Sequence, residues 1–357
     1  MTLEWNSFLA AQGLAADASR FDGTSDELLA ARDKAVIAPL VDLGLIRVSG
    51  VDSATFLHNL LTNDINGIGR DGARFAGLCT AKGRLLALLL IWREGDDFLL
   101  MLPREILPPI LKKLSMYVLR AKVKLSDATA ERALIGYSAA GAVTCPRSGI
   151  PGTQGEPAPT LGATLGDLPA QLPRFGVAAT AGGQTIRLDD TRWLLALDPA
   201  TAVSRWQELV VAARPVGLAA WQWLDIAAGQ PQVVAATQEA FVPQMLNMEL
   251  PAVAGVSFSK GCYPGQEIVA RTQYLGKVKR RTYRARLMTA PNPGAHVYAP
   301  ETGDQHCGAI VSVAPSPVGG FECLVCVQSA AVEAGEVHVG ALAGERMEFL
   351  PLPYEIA

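Results

Sequence analysis

Leu85 to Leu102 reads LLALLLIWREGDDFLLML. Leu85 to Trp92 is apolar without a break. It is far shorter than the ~20 residues of a membrane-spanning helix and has the length of a strand buried on both faces. Glu94-Gly95-Asp96-Asp97 supplies a hairpin turn, and Phe98 to Leu102 is the return strand. Upstream, Phe75 to Thr80 is a short strand that reaches the first through the turn Ala81-Lys82-Gly83. Further out, Leu43, Leu45, Ile46 and Val48 mark a strand ending at Ser49-Gly50. A helix follows with Asp52 or Ser53 as N-cap, a buried face of Phe56, Leu57, Leu60 and Leu61, and Asn63-Asp64 at its close. Downstream, Pro103 starts a helix carrying Ile106, Ile110, Leu111 and Leu114, and Val123 to Leu125 is another strand. The order strand–helix–strand–strand–helix–strand resembles a split βαβ unit, which predicts an α+β fold rather than a doubly wound sheet.

The flanks read differently. Residues 1–35 are helical in pattern, with Leu3, Phe8, Leu9 and Leu14 on one face. Residues 139–183 are dominated by Gly, Pro, Ala and Thr and read as a flexible loop. Order resumes with a strand at Trp193 to Leu197, a helix around Ala202 to Ala213, and a helix or strand at Trp221 to Ala228. After Arg281 the segments YRARLM, GAIVSVAP, FECLVCVQ and VHVG alternate with Gly and Pro, the pattern of a small all-β C-terminal domain closed as a barrel. At 357 residues the chain has room for two to three domains. The expected division is 1–125 with 215–275, a second α+β domain at 126–214, and the barrel at 276–357.

Composition narrows the function classes. Half the residues are hydrophobic and 18% are charged, which is globular rather than disordered. With 31 Lys+Arg against 34 Asp+Glu the net charge is −3, so the chain lacks the overall positive charge of a dedicated nucleic-acid binder. Six cysteines, at 79, 145, 262, 307, 323 and 326, are too few for a disulfide scaffold and fit a reducing compartment. Met1 to Phe8 has neither a basic nor a continuous apolar region of a secretory signal, and a soluble, cytoplasmic protein without membrane contact is expected. There is no Ser/His/Asp set, phosphate loop or dinucleotide fingerprint.

The most unusual segment is Ser259 to Arg281, SKGCYPGQEIVARTQYLGKVKRR. Pro264-Gly265 favours a type II turn, with Gly at the position of positive φ. A helix can start at Gln266. Cys262 then precedes the positive end of a helix dipole, with Lys260 and Arg271 as nearby cations, and all three effects favour thiolate over thiol. The alternative is a small buried hydrophobe beside a structural turn. Its neighbours Lys260, Gly261, Tyr263 and Pro264 are not those of a buried apolar cysteine.

The string KGCYPGQEIVAR, Lys260 to Arg271, resembles the signature of the YgfZ family, folate-binding proteins similar to the glycine-cleavage T-protein. Further likenesses are VSGVDSATFLHNLLTNDI (Val48 to Ile65), LCTAKGRL (Leu78 to Leu85), FVPQMLN (Phe241 to Asn247) and PLPY (Pro351 to Tyr354). The resemblance implies a ring of three domains, the last a β-barrel. It implies a folate-dependent role in assembly or repair of iron–sulfur enzymes, among them the enzyme that thiomethylates tRNA. Tetrahydrofolate is the implied ligand, and iron–sulfur client enzymes are the implied partners. On this reading Cys262 is the reactive group and Lys260 and Arg271 tune it. Gly261 and Gly265 allow close backbone approach, and Gln266 and Glu267 present hydrogen bonds or cap the helix.

Two departures stand out. The T-protein's acidic pair is matched here by Ala87 and Leu88, neither of which can move a proton, which disfavours one-carbon transfer. Asp64 is the carboxylate that could substitute. Trp221 matches a tryptophan assigned to folate contact, although a Trp at a helix start is more often core. The family's Glu within the segment matching Leu224 to Gly229 is replaced by Ala227, with Asp225 on a different face.

Weaker features complete the reading. Lys277, Lys279, Arg280 and Arg281 form a basic run, read either as a solvated strand edge or as a contact for folate's polyglutamate tail or for tRNA phosphate, which would make the chain a non-enzymatic binding module. Cys323 and Cys326 resemble half a metal site, but within a strand they face opposite sides, and no metal is expected. His58 is read as a surface or helix-end residue.

Overall fold

The computed structural model describes residues 3–21, 23–139, 171–274 and 278–356. Cys145, Lys277 and most of the expected 139–183 loop lie outside them. The chain gathers into two compact units, residues 1–41 with 130–224 and residues 42–129 with 225–357.

The first unit opens with α1 (Leu3–Ala11), α2 (Thr24–Asp33) and β1 (Val36–Pro39). The chain then enters the second unit with β2 (Leu43–Ser49), α3 (Ser53–Leu60), β3 (Ala73–Cys79), β4 (Leu85–Glu94), β5 (Asp97–Pro103), α4 (Leu107–Ser115) and β6 (Lys124–Asp127). It returns to the first with β7 (Ala133–Ser138), β8 (Val177–Thr180), β9 (Gly183–Arg187), β10 (Arg192–Leu197), α5 (Pro199–Leu209), β11 (Arg214–Pro215) and most of α6 (Leu218–Ala227). It ends in the second with α7 (Gln266–Tyr274), β12 (Arg280–Leu287), β13 (His296–Tyr298), β14 (His306–Pro315), β15 (Phe321–Gln328), α8 (Ser329–Ala334), β16 (His338–Val339) and β17 (Glu348–Leu350).

In the first unit six strands form one sheet in the order β11-β1-β7-β10-β9-β8. Its core packs Trp5, Trp193, Trp206 and Tyr137 around Ile37, Ile135 and Leu195. The start of α5 is set locally: Asp198 accepts the Thr201 N–H at 3.0 Å, and Pro199 occupies the first turn, where its missing N–H costs nothing. The expected 139–183 loop carries regular structure at its end, because β8 pairs with β9 through Val177 to Thr180.

In the second unit the expected order gains a strand: β3, β4 and β5 all fall between the two helices, and the five strands pair antiparallel in the order β3-β4-β5-β2-β6. Every residue of Leu85 to Trp92 is buried, as an apolar run on both pleat faces requires. The turn closes on the pair Glu94–Asp97, with Gly95 at φ +62°. Arg47 of the neighbouring strand pairs with Glu94 at 2.6 Å and Asp97 at 3.2 Å, which fixes the hairpin against β2. Asp52 takes the N-cap position of α3 and its carbonyl accepts the Phe56 N–H at 2.8 Å, but its carboxylate makes no capping bond. Its carboxylate instead accepts the Lys122 N–H at 2.7 Å. The C-terminal strands form a curled six-stranded sheet, β16-β13-β14-β15-β12-β17, over a core of Leu287, Val297, Ile310, Val325 and Val327. No helix among the described residues is long and apolar enough to cross a membrane.

Candidate functional site

The site is built in the second unit, where the cysteine segment meets the β3–β4 turn and the end of α3. Gln266 N–H donates to Tyr263 O at 3.1 Å and Gly265 sits at φ +83°, so Pro264-Gly265 makes the turn its sequence predicts. The turn is pressed against the backbone of the β3–β4 connection. A Cβ on Gly265 would lie 2.4 Å from Thr80 O and 2.7 Å from Gly83 N. Gly83 is also at positive φ, +70°, and a Cβ there would meet Ile268 Cβ at 3.1 Å. The two glycines let two turns touch, and α7 starts from that contact.

Two buried side chains hold α7 and its approach. Gln244 donates to Val269 O at 2.7 Å, and Asn247 donates to Thr282 O at 2.8 Å. Asn247 closes a 3-10 turn at Pro243–Leu246 in the left-handed region, φ +55°, which Asn tolerates better than most residues. Phe241 O accepts Leu85 N–H at 2.8 Å. The FVPQMLN stretch thus ties β4, α7 and β12 together.

Lys260 reaches back to α3. Its ammonium donates to His58 O and, at 2.6 Å, to Leu61 O. These are carbonyls at the helix end, where the dipole favours a cation. The same Nζ lies 4.8 Å from the centre of the Tyr263 ring. Burial pulls the Lys260 ammonium down to about 8, against the opposing pull of Asp64 and of Cys262. Burial also pushes the Tyr263 phenol up, with Cys79 adding to the shift.

Beyond the helix end, Thr62 and Asn63 are stapled from both sides. Thr62 Oγ1 donates to Gly255 O at 2.6 Å and accepts Gly77 N–H at 2.7 Å. Asn63 donates to Phe75 O and Ala254 O. Burial works against the charge of Asp64, but the Gly67 N–H, Arg74 and His58 outweigh it and hold the carboxyl below its usual range. His58, expected as a surface or helix-end residue, lies in the last turn of α3, has only 14% of its side chain exposed and is 3.1 Å from Asp64 Oδ1. It is drawn inward because the segment after α3 folds back over it.

Cys262 is exposed. The other described cysteines, Cys79, Cys307, Cys323 and Cys326, are all buried, and burial pushes each of their thiols up, Cys79 and Cys326 to about 12. No group of three or more metal-ligating side chains occurs among the described residues. Gly261 and Glu267 are also exposed, and Gln266 is half-buried. Arg271 is exposed on α7 and makes no hydrogen bond or ion pair among the described residues.

No family model matches the chain. The tRNA-modifying protein YgfZ of Vibrio vulnificus strain YJ016 is 30% identical to it over 266 residues, 74% of this chain and 72% of that protein. The protein of the same name from Colwellia psychrerythraea is 31% identical over 265 residues, 73% of this chain and 75% of that one. The one from Escherichia coli strain SMS-3-5 is 31% identical over 278 residues, 77% of this chain and 76% of its own. The chain belongs to the YgfZ family. Among solved structures, the glycine cleavage system aminomethyltransferase T from Bartonella henselae matches with a TM-score of 0.72, at 18% identity, over 98% of this chain and 96% of that one, so the two share a fold.

The remaining expected positions of this YgfZ-family chain fall elsewhere. Ala87 and Leu88 are buried in β4. Trp221, in the first unit, is buried, and its benzo ring lies against β7 so closely that a Cβ on Gly136 would stand 2.6 Å from it. Arg192 approaches the same ring at 5.8 Å. A pterin needs an open aromatic face and a carboxylate for its donor edge. Trp221 is covered by protein and Ala227 has no carboxylate, so these two residues do not fit the implied folate. The basic run is also reduced, because Arg281 points inward and pairs with Glu249, leaving Lys279 exposed beside Arg280.

Sequence reasoning missed Tyr263, Thr62, Asn63, Gln244 and Asn247 as parts of the site. The Thr-Asn-Asp cluster directly after a helix and the Asn after Pro243–Leu246 were the available signals, since such residues bond to nearby backbone.

Proposed function

We propose that this chain is an accessory factor for assembly or repair of iron–sulfur enzymes, among them the enzyme that thiomethylates tRNA, and that Cys262 is its reactive group. One observation carries this reading: the exposed thiol of Cys262 sits on a segment fixed at both ends, by Lys260 on α3 and by Gly265 on the β3–β4 turn. A nucleophile held in place loses little freedom when it reacts. Lys260 supplies positive charge beside it. Gly261 leaves room for close approach, while Gln266 and Glu267 offer hydrogen bonds at the start of α7. The name shared by the relatives, tRNA-modifying protein, supports the link to tRNA.

Tetrahydrofolate enters this proposal through family membership alone. No step is drawn through it, because Trp221 and Ala227 do not fit it. One-carbon transfer is not favoured: Ala87 and Leu88 are apolar, and Asp64 is held ionised by its neighbours rather than poised to exchange a proton.

The test is complementation of a bacterial strain lacking its own YgfZ protein, with wild type, Cys262→Ala and Trp221→Phe. Iron–sulfur enzyme activity is expected to return with wild type and Trp221→Phe and to stay low with Cys262→Ala. Full rescue by Cys262→Ala removes the chemistry from this reading.

A further inference from the structure

The second unit carries an apolar surface that the cysteine site does not use. A cleft of about 400 Å³ opens between α3 and the segment that follows α4. Phe56, Asn59 and Leu60 line one side, and Tyr117, Val118 and Ala121 the other. Its lip is unusually bare. Leu119, which lines it, is 89% exposed, and the chain neighbours of two other lining residues, Met116 before Tyr117 and Val51 before Asp52, are 70% and 84% exposed. Leu119 also holds φ +37°, a conformation that leucine rarely adopts. Apolar side chains scattered singly are ordinary, but a group of them around a concave apolar floor marks an interaction surface.

Charge says what would cover it. From Leu107 to Ser126 the sequence holds Lys112, Lys113, Arg120, Lys122 and Lys124 and no Asp or Glu. The acid lining the cleft is Asp52, and its carboxylate is engaged by the Lys122 N–H. Arg120 lines the cleft opposite that acid, and the exposed Lys122 and Lys124 follow it in the chain, so cations outnumber acids along this segment. We propose that this cleft is a docking groove for an amphipathic helix of a partner protein, one with apolar anchors set among acidic residues. An apolar helix stripe fits a concave groove, and acidic flanks meet these cations. The concavity disfavours a flat lipid surface.

The groove has a physical link to the cysteine segment. α3 lines it with Phe56, Asn59 and Leu60, and the same helix end receives Lys260 through His58 O and Leu61 O. An eight-residue helix is ~12 Å long, so a docked partner would lie within about one helix length of that anchor. The docking proposal itself does not depend on the role of Cys262.

The test uses the full chain and a fluorescein-labelled 18-residue helical peptide with Leu at helical spacing and Glu elsewhere. A second peptide replaces every Glu by Lys, and vesicles of phosphatidylcholine with phosphatidylglycerol serve as the lipid probe. Anisotropy is expected to show the acidic peptide bound about tenfold more tightly than the basic one, with binding weakened by salt. Leu119→Asp is expected to weaken it about fivefold or more, while Leu342→Asp, a control in the C-terminal region, leaves it unchanged. Thermal melts of both variants confirm folding. Equal binding of the two peptides, or binding indifferent to Leu119→Asp, overturns the proposal. So does binding to vesicles in preference to the peptide, or a Leu119-dependent dimer at micromolar chain, which would make the occupant a lipid surface or a second copy.

Discussion

Lys260 Nζ stands 2.6 Å from Leu61 O, and through that bond the cysteine segment hangs on the C-terminal end of α3. The two residues are 199 positions apart in the chain. The bond joins a charged donor to carbonyls that the helix leaves unpaired. Hydrogen bonds of a charged group contribute about 1.5–3 kcal/mol. Lys260→Met removes this tie, and hydrogen exchange in the segment around Cys262 is expected to rise.

Lys260 also gives the chain a pH signature. Its ammonium titrates near 8 when folded and near 10.5 when free. Between those values the unfolded chain binds more protons than the folded one, so stability rises with pH across that window and the gain is lost as pH falls through 8. Unfolding midpoints measured from pH 7.5 to 10.5 should rise more steeply in wild type than in Lys260→Met. Acetylation of Lys260, followed by peptide mass, should likewise show a midpoint near 8.

The facing turns make an asymmetric prediction. Gly265→Ala places a Cβ against Thr80 O and Gly83 backbone and also strains φ. Gly83→Ala strains φ as well, but its Cβ meets Ile268 Cβ at 3.1 Å and Gly265 O at 3.2 Å, a looser approach. A residue forced into this region costs on the order of 1–2 kcal/mol before any clash. Gly83→Ala should lose about that, and Gly265→Ala clearly more, in thermal melts of the two variants.

Gln244 is fully buried and donates to Val269 O. Gln244→Ala should remove this side-chain bond to α7, a loss of about 0.5–1.5 kcal/mol. The loss should appear as faster hydrogen exchange in α7, while the hairpin of β4 and β5 keeps its protection.

Much of the second unit is legible in the sequence because its contacts are local. The run Leu85 to Trp92, the Gly95 turn and the return strand announce themselves by period and punctuation, and Pro264-Gly265 does the same. The first unit is harder to read. Val36–Pro39 and Ala133–Ser138 are short strands, one ending in Pro and one interrupted by Gly136, and they pair across nearly a hundred residues. No local period announces such a pairing. At the site, Cys262 stands out by its neighbours, but the inward turn of Arg281 toward Glu249 and of His58 toward Asp64 depends on which segments fold over them.

On the proposed reading the exposed thiol of Cys262 is the group that reacts. The direct test is the rate of iodoacetamide modification of Cys262 in the native chain, read by peptide mass, against a free peptide spanning residues 257–268. Modification about tenfold faster in the folded chain is expected, with Lys260→Met bringing the rate down toward that of the peptide. A native rate equal to or below that of the peptide contradicts it.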